Sequence, residues 1–145
     1  MKITKILTDL LKAVEKKKTF EINYGYDDGY VYYLPDKYRA YRIHSDEFLV
    51  DMVKALPDKT PLMARKFFDD SNAEDAIKTN ELREINKVTV VKIVGANSYA
   101  WINTTYLKEF EADCTFKITG PKAPVYIYEQ DKLVGLILPV FIKED

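Results

Sequence analysis

The chain has 145 residues, 47% hydrophobic and 31% charged, which is length for one domain with a real core and excludes a large multidomain enzyme or a wholly disordered chain. Lys and Arg number 22 against 23 for Asp and Glu, a formal net charge of -1, so the chain does not coat nucleic acid by bulk charge and any such contact needs a local basic patch. Cys114 is the sole cysteine, which excludes an intrachain disulfide, a multi-cysteine zinc site and a CxxC pair and predicts a cytoplasmic, reducing setting. Asp9 and Lys12 interrupt the first apolar stretch, so neither a signal h-region nor a membrane span is expected.

In chain order, Ile3, Ile6, Leu7, Leu10, Leu11 and Val14 recur at helical spacing and predict an amphipathic helix with one buried stripe, with Thr4 or Thr8 as candidate caps. Residues 19–24 alternate as a half-buried strand does, Asp28-Gly29 is a hairpin turn, and Tyr30 to Leu34 is the next strand. Pro35-Asp36-Lys37 turns the chain into a third strand, Tyr38 to Ile43. His44 to Leu56 reads either as a strand and a short helix or as one helix capped by Ser45, since Phe48, Leu49, Met52, Val53 and Leu56 have helical spacing. Arg65 to Lys87 is rich in Asp, Glu, Lys and Asn and reads as an exposed helix or an ordered loop. Val88 to Val94 is a β-branched strand closed by the turn formers of residues 95–98, and a helix is expected from Asn103 to Glu111 with Ile102, Tyr106, Leu107 and Phe110 inward. Strands follow at Cys114 to Thr119, Val125 to Tyr128 and Leu133 to Phe141.

The first and last thirds repeat each other at an offset of about 96 residues. Ile6 falls on Ile102, Thr8 on Thr104, Leu11-Lys12 on Leu107-Lys108, Glu15 on Glu111, Thr19-Phe20 on Thr115-Phe116 and Ile22 on Ile118; after a slip, Tyr33 falls on Tyr128 and Asp36-Lys37 on Asp131-Lys132. The expected organisation is a single α+β domain, largely antiparallel, with repeat units at 1–56 and 88–145 and an insertion at 57–87.

Residues 102–107 with a short helix, then Phe116 to Gly120, Ala123 to Ile127 and Leu133 to Val140, resemble the closing domain of the bacterial DNA-polymerase sliding clamp, the beta clamp. That family has an Asn-x-x-Tyr-Leu helix start, a Pro-hydrophobic strand and a terminal Leu-Pro-Val strand, and builds each domain from two helix-plus-strands units. The resemblance implies a single clamp-like domain of phage or mobile-element type, non-catalytic and without a cofactor, acting in DNA replication or repair through replication proteins or self-association, with weak duplex-DNA contact. The alternative it leaves open is an interaction module or inhibitor that mimics a clamp domain and binds host replication proteins. This chain has length for one domain where a clamp chain has three, and Phe141 stands where the family pattern has Arg.

Clamps line their ring with basic helices that touch phosphates without reading bases. By the resemblance the DNA-facing residues are Lys5, Lys12 and Lys16, which share one stripe of the first helix, and Lys108 on the second. Asp9 lies in the same stripe, so a plain solvated face is the competing reading; at the matching positions of the second unit stand Trp101, Thr105, Lys108 and Ala112. The resemblance also places Leu138, Pro139, Val140 and Phe141 at a pocket for short linear motifs, against the reading that they are ordinary core.

No catalytic or metal motif is found. His44 is the only histidine, Asp27-Asp28 and Asp69-Asp70 lack calcium-loop spacing, and Gly25-x-x-x-Gly29 has no following Lys-Ser/Thr. Eleven tyrosines are the least ordinary feature, and strand alternation predicts that about half of Tyr24, Tyr26, Tyr30, Tyr32, Tyr33, Tyr38 and Tyr41 face outward as an interface.

Overall fold

The structure, a computed structural model, describes residues 1–25, 28–47 and 66–143. The expected strand or helix of 48–56, the first part of the insertion, Tyr26, Asp27 and the acidic end at 144–145 lie outside these residues.

Helix α1 spans Ile3–Glu15, as its apolar spacing predicts. Neither threonine caps it: the N-cap is Lys2, without a side-chain hydrogen bond, and the Thr8 hydroxyl donates instead to the Thr4 carbonyl at 2.7 Å. Its far end closes with the Lys18 amide donating to Ala13 and the Lys17 amide to Val14, a Schellman arrangement. Lys17 takes the left-handed position at φ 53°, where glycine is usual. The buried stripe is narrower than expected. Ile6 is buried and Ile3, Leu7 and Leu10 pack partly against the core, whereas Leu11 and Val14 are 67% and 55% exposed. Leu11 sits about 140° round the helix from Ile6, too far for one line of sheet contact to cover both.

Among the described residues nine strands form one antiparallel sheet: β1 Glu21–Tyr24, β2 Tyr30–Leu34, β3 Arg39–His44, β4 Glu74–Ile85, β5 Val88–Gly95, β6 Tyr99–Asn103, β7 Thr115–Ile118, β8 Val125–Glu129 and β9 Lys132–Ile137. Their order is β1-β2-β3-β9-β8-β7-β4-β5-β6. The first six positions read alike from either side of the β3/β9 pair, in which Ala40 faces Leu136. A short helix α2, Thr104–Leu107, precedes β7 as α1 precedes β1.

Two segments differ from the sequence expectation. Residues 74–85, expected as exposed helix or loop, form the twelve-residue strand β4, because Asn86 and Lys87 take positive φ (50° and 67°) and fold it back on the β-branched β5. Two successive positive-φ residues match the twist of a tight hairpin, and that pairing overrides the helix-forming composition of β4. Residues 99–103, the approach to the expected second helix, form β6, so Ile102 and Trp101 are fully buried strand residues. The regular part of α2 is shorter than 103–111; beyond it Glu109 and Phe110 continue in tighter turns by donating to Tyr106 and Leu107.

Both faces of the sheet are covered. One face holds Val31, Tyr33, Tyr41, Ile43, Val91, Ile93, Ile102, Ile118 and Ile127, against which α1 packs through Ile6 and the α2 segment through Tyr106, Leu107 and Phe110, so the two helices share that face. The other holds Tyr32, Ala40, Tyr126, Tyr128, Leu133 and Leu136 under Phe68. The Tyr126 hydroxyl donates to the Asp69 carbonyl at 2.7 Å and the Tyr128 hydroxyl to Asp70, which ties down the segment carrying Phe68. This double coverage corrects the tyrosine reading. Tyr24, Tyr32, Tyr33 and Tyr41 are all buried, with Tyr32 and its neighbour Tyr33 in opposite cores, and only Tyr38 of the described set is largely exposed.

Candidate functional site: the closing-segment groove

Beyond β9 the chain leaves the sheet in residues 138–143. The Leu138 amide donates to the Tyr38 carbonyl and the Val140 amide to the Trp101 carbonyl, each at 2.8 Å. Pro139 between them has no amide to satisfy, so the two bonds strap the segment from the start of β3 to β6 without a regular ladder. Leu138, Pro139 and Val140 are half-buried and form one wall of a groove of about 370 Å³. The rest of the lining is Tyr38, Ile85, Asn86, Val88, Val90, Asn103 and Tyr106. That volume lies within the ~300–1,000 Å³ of small-ligand and side-chain pockets, and few polar groups reach into it.

Each element contributes for a local reason. The Asn86-Lys87 turn brings Ile85 and Val88 to the rim. Asn103 caps α2 by accepting the Thr105 amide at 2.9 Å, which fixes where Tyr106 emerges. The Arg39 guanidinium lies over the Tyr106 ring, 4.6 Å from its centre, and pairs with Asp36 at 3.3 Å. Burial, with Asp36 nearby, raises the Tyr106 phenol above its ordinary value.

Of the four residues expected at a partner site, Leu138, Pro139 and Val140 line this groove. Phe141 does not: half-exposed, it points elsewhere, with Lys122 Nζ 4.4 Å from its ring centre. The sequence pattern does not mark Ile85, Val88 or Tyr106 as groove walls, because Ile85 and Val88 depend on the β4–β5 hairpin and helical spacing puts Tyr106 in the core, whereas Tyr38 is one of the tyrosines expected at an interface. The adjacent Asn86 was the available signal, since Asn tolerates the left-handed turn.

The basic residues separate. Lys5 Nζ is 2.9 Å from Glu109 Oε1, and that carboxylate is nearly wholly buried, with its second oxygen Oε2 lacking a hydrogen-bond partner among the described residues. The Lys5 charge is therefore offset at the junction of α1 and the α2 segment. Lys12 and Lys16 are exposed at the far end of α1, beside exposed Lys17 and Lys18. Lys108 is exposed but lies in a different groove, beside β4. Trp101, expected on a helix stripe, is instead buried in β6 beneath Arg83, 4.8 Å from its ring centre.

Elsewhere, His44 is exposed, accepts the Asp46 amide through Nδ1 at 3.2 Å and meets Tyr30 edge-on. Among the described residues no group of three His, Cys, Asp or Glu side chains could hold a metal ion, and no helix is long and apolar enough to cross a membrane. Burial, with Glu129 adding to it, pushes the half-buried Cys114 thiol up to about 11, so it is a poor nucleophile at neutral pH. No family profile, curated protein or solved structure matches the chain.

Proposed function

We propose that this protein is a non-catalytic, clamp-like domain that acts in DNA replication or repair through protein contacts, with the closing-segment groove as its partner site. The observation that carries the reading is the groove itself. Leu138-Pro139-Val140, the residues that the beta-clamp resemblance assigns to motif binding, stand half-buried along an apolar cleft that Tyr38 and Tyr106 also line. Two features of the fold support the same reading. The first six positions of the strand order are symmetric about β3/β9, with a helix ahead of β1 and of β7, in keeping with a duplicated unit, and both helices lie on one face, as a clamp's DNA-facing helices do.

DNA contact is the weaker part of the function. Lys12 and Lys16 supply two cations on α1 without an ion-pair partner among the described residues, Lys5 is held by Glu109, and α2 is too short to carry a matching stripe. About two phosphate contacts give a shallow salt dependence and no sequence preference.

The test is capture of replication proteins from an extract of the host cells. The wild-type chain is expected to retain a polymerase, clamp or clamp-loader subunit, and Val140→Asp, which puts a charge in the groove, is expected to lose it while its circular dichroism stays unchanged. Retention of the same proteins by both would remove the groove from the account.

A further inference from the structure

A second groove, of about 790 Å³, opens on the helical side of the sheet between β4 and the α2 segment, and nothing in the clamp-like reading uses it. Its position follows from a mismatch of lengths. β7 pairs with β4 only through Glu74, Asp75 and Ala76, and the chain before β7 leaves the sheet at Cys114, while β4 runs on to Ile85 beside β5. A register shift between Lys78 and Leu82 interrupts the β4 ladder, and the Thr79 hydroxyl serves the backbone there, donating to the Lys92 carbonyl at 2.9 Å and accepting the Glu81 amide at 3.2 Å. What the groove offers a ligand is side chains, not a regular strand edge.

Those side chains lie on one face. Opposed residues of an antiparallel pair point the same way, and Lys78 stands opposite Ile93 and Leu82 opposite Val91, both partners in the core beneath the helices. Leu82, Leu107, Phe110 and Phe116 make an apolar floor, with Leu82 59% exposed. Lys2, Lys78 and Lys108 are exposed around it, and none has a carboxylate within salt-bridge distance among the described residues. The single carboxylate among the described lining residues, Glu111, is 3.4 Å from the Met1 amino group. Uncompensated cations on the same face as an apolar floor suit a molecule that is apolar along its length and anionic at one end, and the volume is that of a small-ligand site, ~300–1,000 Å³. We propose that this groove binds a small anionic amphiphile, an unbranched carboxylic acid of the fatty-acid class, with its chain on Leu82, Leu107 and Phe116 and its carboxylate drawn to Lys78 and Lys108. Lysine stems suit such a site, since they cover apolar surface while holding the ammonium at its rim. Duplex DNA fits less well, because a phosphate backbone gains nothing from the floor. This site is independent of the closing-segment groove and stands whether or not that groove takes a replication protein.

The probe is decanoate, compared by calorimetry with decyltrimethylammonium, which has the same chain and the opposite charge. Decanoate is expected to bind about tenfold more tightly, and each two methylenes added between octanoate and dodecanoate to tighten binding by about tenfold again. Cys114, the sole cysteine, lines the groove and reports its occupancy, so saturating decanoate is expected to slow alkylation of the thiol by iodoacetamide. The double variant Lys78→Glu, Lys108→Glu, both exposed positions that leave the core intact, is expected to reverse the charge preference. Leu82→Ser is expected to weaken both probes alike, by about fivefold. Equal affinity for the two probes, no gain with chain length, or alkylation of Cys114 unchanged by decanoate would overturn the proposal. So would retention on phosphatidylglycerol vesicles without affinity for free decanoate, which would assign the floor to a membrane surface, or a doubled mass that Leu82→Ser halves, which would assign it to a second copy of the chain.

Discussion

The two helical segments occupy equivalent places before β1 and β7, yet they are held in opposite ways. α1 is long and loosely seated, with Ile6 its one fully buried residue and Leu11 and Val14 in solvent. The α2 segment has only four regular helical residues but is deeply anchored. Asn103 caps it, Glu109 is buried against Lys5, and Phe110 enters the space above Gly135, where even a Cβ would lie 2.6 Å from the Phe110 ring. The contrast teaches that helix length and anchorage are separate quantities. The well-anchored segment shapes both grooves, and the loosely seated one leaves its polar face, with Lys12 and Lys16, free for solvent or phosphate.

That contrast can be broken at its strongest point first. Phe110→Ala is expected to cost about 3–5 kcal/mol in a denaturant titration, because it empties a site that Gly135 keeps open only for that ring. Ile6→Ala is expected to cost about 2–4 kcal/mol, the loss of the one complete α1 anchor. Asn103→Ala removes the cap at the start of α2 and is expected to cost about 1 kcal/mol, while loosening Tyr106 at the groove wall, visible as faster ring flipping by NMR. Lys17→Gly is expected to gain about 1 kcal/mol by relieving the left-handed residue that ends α1, and a loss there would show that this end is not closed as described. Leu11→Ser, on the exposed side of α1, is expected to change stability by no more than about 0.5 kcal/mol.

The legibility of the sequence follows the same division. Period-two alternation and turn residues placed β1 to β3, β5 and β7 to β9 to within a few residues, since those signals are local. β4 was missed because its charges and helix formers conceal a strand made by pairing with β5, and β6 was missed because Ile102 fits a helical stripe as well as a strand. Tyrosines were misread because alternation assumes a sheet with one wet face, and the segment carrying Phe68 covers the second. At the site, Leu138 to Val140 were legible, while the lining by Ile85, Val88 and Tyr106, the departure of Phe141 and the capture of Lys5 by Glu109 all depend on contacts distant in the chain.

The proposed partner site at the closing-segment groove is tested most directly by the paired capture with wild-type and Val140→Asp protein. Recovery of a replication protein by the first and its loss from the second, both folded, is the predicted result; an identical set of bound proteins from both would contradict it.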